Sequence, residues 1–452
     1  MRIYFILIIL LLVGLYSCNE KIKEPISTMP SEIPEDSLGF IVQFTPQFSK
    51  SILEMELGEG ISDIDLATKR ENINSKINKY LKQYLEKKEI IVNGTYTDVI
   101  VGFYGYMTES TVNSILADTD SIMSLTEDVE TQGRPVHQGR PVHQSQSGIL
   151  TPKWRYDAAE KTSKGIIQIK GPTPQMTSNK KVWIMDTGID KFHKDLSGVN
   201  QNISLSWSFS GNSSDAWVDN NGHGTHLAGI VGGKSPSNEP NTRLGMNGVS
   251  KGANIVSVQV LKANGNGNWG NVLGGLEHIA LNSQEGDVVL MSLGNSDIDN
   301  CQVYQSSIGN AIRSLANNGI FIVMSSGNSS SNSMDNFPGC LNGNGLVTVG
   351  STNINLTRIP NFSNGNIKVG TVLTGSVDFV APGRNIFSTY PREQENRYAV
   401  MSGTSMSAAI VAGIIYKLGR IPRQCHTPCN NCLIEDDDDS SIKYYVARLN
   451  CN

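Results

Sequence analysis

Val182-Trp183-Ile184-Met185-Asp186-Thr187-Gly188-Ile189-Asp190 sets four apolar residues directly before a carboxylate and a glycine turn. An unbroken apolar run of this length is the pattern of a strand covered on both faces, as in a parallel sheet. The carboxylate then falls at the strand's C-terminal end, where open α/β sheets place their active sites. From about Pro152 onward the chain stays glycine-rich, and strand-like and helical stretches alternate, which predicts an α/β domain built on a parallel sheet.

Two further segments carry chemistry. In Asp219-Asn220-Asn221-Gly222-His223-Gly224-Thr225-His226, a histidine opens a small-residue helix between glycines that permit close backbone approach. In Met401-Ser402-Gly403-Thr404-Ser405-Met406, a serine stands at the start of another such helix, near the positive end of its dipole, with its own N–H available to an oxyanion. An Asp, a His and a Ser, each in a glycine-marked turn, are the parts of a nucleophilic triad. Each has an ordinary structural reading when taken alone. His223 and His226 share a helix, but the pair lacks the glutamate of a zinc-peptidase motif, so His226 reads as a core residue.

The order Asp, His, Ser and the three motifs resemble the subtilisin-like serine peptidases (subtilases), over roughly residues 165–420. The resemblance implies a three-layer α/β fold with a central parallel sheet. It implies that Asp186 orients the imidazole, His223 is general base and then acid, and Ser405 attacks the carbonyl. Asn328, at the end of the apolar run Phe321 to Ser325 and after Gly327, matches the family's oxyanion-hole asparagine. Ser292-Leu293-Gly294 and the Gly265/Gly267 stretch resemble the two edges that hold an extended substrate as an added strand. Asp378 to Gly383 is a further family-like stretch. The activity implied is secreted serine endopeptidase. Two alternatives stand beside it: a transpeptidase or ligase on the same scaffold, and an inactive peptide-binding pseudoprotease.

The N-terminal part divides differently. Arg2 followed by the apolar run Ile3 to Leu15 is too short to span a bilayer, which needs roughly 20 residues, and reads as a signal peptide over 1–17. Its end, Leu15-Tyr16-Ser17-Cys18, resembles a bacterial lipobox, with Cys18 the lipidated residue. Residues 18–37 read as a tether. Residues 38–131 read as a small α+β, ferredoxin-like unit: strands at Phe40–Phe44, Thr97–Phe103 and Ile122–Val129, helices over 66–88 and from Glu109 to Leu116 with Thr108 as N-cap. Ahead of a subtilase, this unit resembles the inhibitory propeptide, with Ile122 to Gln132 as its last strand and cleft-binding tail; the cut would fall between Glu130 and Ser147. Residues 132–150 form a polar linker with a direct repeat, Gln132-Gly-Arg-Pro-Val-His137 and Gln138-Gly-Arg-Pro-Val-His143. His137 and His143 make a poor metal pair in an exposed linker. The catalytic domain occupies 151–452, with a cysteine-rich segment from about 420.

The formal charge of -5 excludes a basic nucleic-acid binder. Seven cysteines leave one unpaired. With Cys18 lipidated, Cys301 and Cys340 are expected to pair near the substrate cleft, and Cys425, Cys429, Cys432 and Cys451 to form disulfides of open connectivity rather than a zinc site. The expected location is the bacterial cell envelope, or the outside after processing; the expected partners are polypeptide substrates, its own propeptide and the membrane, with the enzyme a monomer. No cofactor is required by the chemistry. Calcium is the one candidate: Asp195 matches a calcium carboxylate of the family, but Thr242 replaces an asparagine ligand and Arg243 adds a positive charge. Two other positions depart from the family: Leu290 replaces an asparagine, and Ala409 replaces the proline four residues after the nucleophile. Losing that proline relaxes the nucleophile's backbone and predicts slower hydrolysis.

Overall fold

The computed structural model describes residues 37–48, 66–87, 89–128, 130–133, 137–141, 144–145, 148–149, 155–174, 178–196, 200–210, 216–237, 244–295, 301, 307–369, 371–391, 397–422, 433–436 and 439–449. The expected signal peptide, Cys18, Thr242, Arg243, His143 and the four C-terminal cysteines lie outside these residues.

The N-terminal unit runs β1 (Leu38–Phe44), α1 (Leu66–Leu85), β2 (Ile90–Tyr96), β3 (Gly102–Met107), α2 (Glu109–Leu116) and β4 (Ile122–Glu127). Its sheet order is β2-β3-β1-β4, and every pairing is antiparallel. Alternation sorts β1 between two cores, because successive side chains of a strand point to opposite faces. Phe40, Val42 and Phe44 pack under α1 and α2, whereas Ile41 faces the large domain. One expectation is corrected here. Residues 97–101 do not continue a strand; they turn between β2 and β3. Thr108 is the N-cap of α2, but its side chain makes no capping hydrogen bond and instead meets the Thr111 hydroxyl at 3.2 Å.

Past the cleft-lining strands β5 (Glu130–Gln132) and β6 (His137–Pro141) comes the large domain. Its main strands are β7 (Val182–Asp186), β8 (Asn254–Gln259), β10 (Val288–Met291), β11 (Phe321–Ser325), β12 (Leu346–Thr352) and β13 (Val377–Pro382); the short β9 (Asn266–Asn268) lies apart at the cleft. They lie in the order β8-β7-β10-β11-β12-β13, all parallel. The apolar run of β7 is divided by the pleat. Val182 and Ile184 pack against α3 (His223–Gly232) and α6 (Thr404–Leu418), and Trp183 and Met185 against α4 (Trp269–Asn282) and α5 (Ile308–Asn317). Helices on both faces are what an uninterrupted apolar strand requires, and they give the expected three layers. An antiparallel pair, β14 (Ile386–Thr389) and β15 (Tyr398–Ser402), leads into α6. Leu290 is fully buried in the core beside α6, a packing position. Among the described residues no helix is long and apolar enough to cross a membrane.

The two parts are joined at the N-terminus of α4. Asp128 accepts the Gly270 N–H at 3.0 Å, a carboxylate placed on the positive end of the helix. Burial pushes its pKa up to about 6, against the opposing effect of the Gly270 N–H, the Tyr104 hydroxyl and the Trp269 N–H. Tyr104 lies over Gly270, where a Cβ would come within 2.7 Å of its ring. Further along α4, Glu277 accepts the backbone N–H groups of Thr97 (2.7 Å), Asp98 (3.0 Å) and Val99 (3.0 Å). A single carboxylate thus shapes the β2–β3 turn from 180 residues away. Replacing it takes the acceptor from two part-buried donors, Thr97 and Asp98, and one buried donor, Val99. Glu277→Ala should loosen the docked unit by about 2–4 kcal/mol, with Glu277→Gln recovering part of the loss; hydrogen exchange of the 97–99 amides in each chain checks this.

Candidate active site

Each chemical group is delivered by an element end. β7 ends on Asp186, whose backbone carbonyl is fixed by the N–H groups of Val260 and Leu261. Its carboxylate accepts the Thr187 N–H at 2.8 Å and faces His223 Nδ1 at 2.8 and 2.9 Å. His223 is the first residue of α3, and the residue before it, Gly222, adopts φ +105°. That left-handed turn favours glycine. A Cβ there would also lie 2.1 Å from the Tyr390 ring.

Asp219 is the residue that sequence reasoning left without a role. Its Oδ1 accepts the N–H groups of Asn221 and Gly222 and the Thr187 hydroxyl, and its Oδ2 accepts the Thr225 N–H and hydroxyl. It holds the turn that presents His223. The available signal was an acidic side chain a few residues ahead of a helix start, where it can take the orphan first-turn N–H groups. Burial raises its pKa despite these donors.

Asp186 and His223 are both essentially without solvent. Burial works against the charged imidazolium, but the Asp186 carboxylate, which also takes the Nδ1 hydrogen bond, and Asp219 beyond it outweigh this and raise its pKa. The other ring nitrogen, Nε2, is buried and has no hydrogen-bond partner among the described residues. His226, one turn on, is the core residue expected: its Nε2 lies 3.2 Å from the carbonyls of both Ile386 and Ala399, and burial pushes its pKa down to about 3.

Ser405 is the second residue of α6. First-turn N–H groups have no partner within their helix. The preceding Thr404 donates its N–H and its hydroxyl to Asn328 Oδ1, both at 2.9 Å. This commits the carbonyl end of the Asn328 amide and makes Nδ2 its donor end. Ser292 Oγ donates to the Ser405 carbonyl at 3.3 Å. Ser292 follows β10, and Gly294 is packed so tightly against Phe337 that a Cβ would sit 2.5 Å from its carbonyl. Cys301 and Cys340 form the expected disulfide, tying this wall to the segment after Phe337.

One of the two expected substrate edges, the Gly265/Gly267 stretch, is paired with the chain itself. β5 pairs antiparallel with β9, Thr131 opposite Gly267, and the Gly133 N–H donates to the Gly265 carbonyl at 2.9 Å. A Cβ on Gly133 would stand 3.7 Å from His223 Nδ1 and 3.6 Å from the Ser292 carbonyl. The histidine wall and the Ser292–Ser405 wall therefore face each other across one strand. Asp186, His223, Asn328, Ser405, Ser292, Gly265 and Gly267 are brought to one cleft.

Asp195, the expected calcium carboxylate, is buried among protein donors. Asp195 Oδ2 accepts the Met246 N–H (2.8 Å) and the Tyr398 hydroxyl (2.6 Å). The nearby Leu244 carbonyl accepts the Lys194 ammonium at 3.0 Å, so a protein cation stands among the acceptors. Among the described residues no group of three or more His, Cys, Asp or Glu side chains is gathered for a metal ion. Ala409 is fully buried within an unbroken α6.

The His223 environment gives a direct expectation. Its imidazole should titrate above the ordinary histidine value of about 6.5, and Asp186→Asn should bring it down; NMR of the ring resonances against pH measures both.

The subtilase family model matches residues 177–419, more than half of the chain. Thermitase of Thermoactinomyces vulgaris is 33% identical over 237 residues, covering 52% of this chain and 74% of thermitase. The major intracellular serine protease of Bacillus subtilis (strain 168) is 32% identical over 243 residues, 52% of this chain and 67% of that protein. A cuticle-degrading serine protease of Arthrobotrys oligospora is 33% identical over 235 residues, 52% of this chain but only 50% of that protein. A crystal structure of a cold adapted subtilisin-like serine proteinase aligns with a TM-score of 0.48 at 25% identity, covering 65% of this chain and all of that one. With its motifs gathered in one cleft and its family model matched from 177 to 419, the chain belongs to the subtilase family of serine peptidases.

Proposed function

We propose that the chain is a secreted serine endopeptidase, made as a precursor whose residues 38–131 form an inhibitory propeptide and whose Cys18 carries a lipid anchor. The observation that carries the catalytic reading is the His223 imidazole. Its Nδ1 is bonded to Asp186 at 2.8 Å, and its buried Nε2 has no hydrogen-bond partner among the described residues.

In this reading Ser405 Oγ attacks the substrate carbonyl and His223 Nε2 takes its proton. Asp186 holds the ring in the tautomer with hydrogen on Nδ1 and stabilises the imidazolium. The oxyanion is received by Asn328 Nδ2 and the Ser405 N–H, donors fixed before the reaction begins. The C–N bond breaks as the imidazolium returns the proton to the leaving nitrogen, and water then releases the acyl group by the same path reversed. Substrate backbone would pair with Gly265 and Gly267 on one side and Ser292 to Gly294 on the other, as β5 does on the first of these edges. The propeptide reading is supported by the docking of the N-terminal unit on α4 and by the seating of β5 and Gly133 in the cleft. Partners are then polypeptides and the chain's own propeptide, and the enzyme works as a monomer.

A ligase reading is favoured by one residue, Ala409, which lacks the ring that would stiffen the turn of α6 following Ser405. The tests share one set of chains. Ser405 should be labelled by a fluorophosphonate, and Ser405→Ala should abolish both labelling and peptide hydrolysis. Asn328→Ala should keep labelling but lose about 10²–10³ in kcat. Ala409→Pro should raise hydrolysis relative to aminolysis by an added amine; an unchanged product ratio would remove the ligase reading.

A further inference from the structure

Ser388-Thr389-Tyr390 lies outside the motifs that carry the chemistry, yet three successive hydroxyls of this stretch reach the start of α3. The Ser388 hydroxyl donates to the His226 carbonyl and the Thr389 hydroxyl to the Thr225 carbonyl, both at 2.7 Å. The Tyr390 hydroxyl donates to the Asn221 carbonyl at 3.0 Å. The helix start is shaped to receive them. A Cβ on Gly229 would stand 2.3 Å from Ser388 Oγ and 2.2 Å from Thr389 Oγ1, and one on Gly222 would stand 2.1 Å from the Tyr390 ring.

Tyr390 differs from its two neighbours in where it acts. Ser388 and Thr389 hold carbonyls that follow His223, whereas Tyr390 holds the turn ahead of it. Asn221 is already fixed at its N–H by Asp219 Oδ1 (3.0 Å), and its side chain runs from the Ala263 carbonyl (2.9 Å) to the His223 N–H (3.2 Å). The phenol takes the carbonyl and so sets the plane of the Asn221–Gly222 peptide. Gly222, at φ +105°, has no side chain of its own to resist rotation, and the Tyr390 ring fills the space beside it. Burial first, and then the Asp219 carboxylate, raise the Tyr390 pKa, which keeps the hydroxyl a donor.

The same hairpin carries the nucleophile. β14 pairs antiparallel with β15, Thr389 opposite Tyr398 and Ile386 opposite Met401, and the Tyr390 N–H donates to the Arg397 carbonyl at 2.7 Å. β15 then leads into α6 and Ser405. Resting on the peptidase reading, we propose that Tyr390 is a positioning residue for catalysis: it ties the turn that presents His223 to the hairpin that presents Ser405, and so sets the approach of the imidazole to the nucleophile. Its effect falls on the proton-transfer step, which depends on that geometry, and is therefore read in kcat.

The test compares the purified full chain with its Tyr390→Phe and Tyr390→Leu forms. It reads fluorophosphonate labelling of Ser405, kcat and KM on a peptide substrate, and the NMR resonance of the His223 Nδ1 proton. Tyr390→Phe keeps the ring and loses one hydrogen bond; it should lower the labelling rate and kcat about 5-fold, with KM within about twofold of native. Tyr390→Leu loses the ring contact as well and should lower both rates about 10²-fold. The Nδ1 resonance should move in both forms, and further in Tyr390→Leu. Native rates and an unmoved Nδ1 resonance in Tyr390→Phe would overturn the positioning role. So would a raised KM with kcat unchanged, which marks a substrate contact, or a fall in activity with the resonance unmoved, which marks general destabilisation. In each of these the peptidase reading stands. A native chain that takes no label would overturn that reading and the positioning role together.

Discussion

Two carboxylates and one imidazole are buried together at the end of β7, and the folding of the cleft turns on satisfying all three. Asp186 and Asp219 both lie within the reach of the Thr187 hydroxyl, and that hydroxyl in turn accepts the Gly224 N–H at 3.0 Å. A buried charge without partners is severely penalised. Here the compensation comes from the backbone N–H groups of Thr187, Asn221, Gly222 and Thr225 together with the Thr187 and Thr225 hydroxyls and the His223 ring. The same hydrogen bonds that make the carboxylates tolerable therefore fix the helix start, and the helix start fixes His223. Stability and chemistry share one set of donors, so neither carboxylate can be altered without moving the ring.

This sharing explains which parts were legible in the sequence. Asp186, His223, Ser405 and Asn328 stand out because each needs a local setting that leaves a local trace: an apolar strand before it, a glycine turn, a small-residue helix after it. The face assignment of β7 follows from periodicity alone. The turn at 97–101 was not legible, because its amides are gathered by Glu277, far away in the chain, and the stretch itself is as apolar as a strand. Thr108 has the right residue type at the right position for a cap, yet its hydroxyl meets Thr111 instead. Asp219 appeared only as a member of a motif, since its role depends on Thr187 and Thr225 converging in space.

Asp195 makes the complementary point. A carboxylate at a family metal position is a chemical possibility that its neighbours decide. Tyr398 and Met246 give their donors to Asp195 Oδ2, and the Lys194 ammonium serves the nearby Leu244 carbonyl. The sequence position was readable; the tyrosine that answers it comes from β15, some two hundred residues later.

The way β5 and β6 are held has a consequence for what the large domain becomes without them. Each contributes a strand to a sheet fragment that otherwise ends there: β9 on one side, β15 on the other. Once vacated, both present rows of unpaired main-chain donors and acceptors, the situation folded proteins ordinarily guard against because any extended polypeptide can complete it. A hunger for backbone, indifferent to most side chains, is a hazard on an ordinary surface. Beside Ser405 the same two edges, if vacated, would be open to another extended polypeptide.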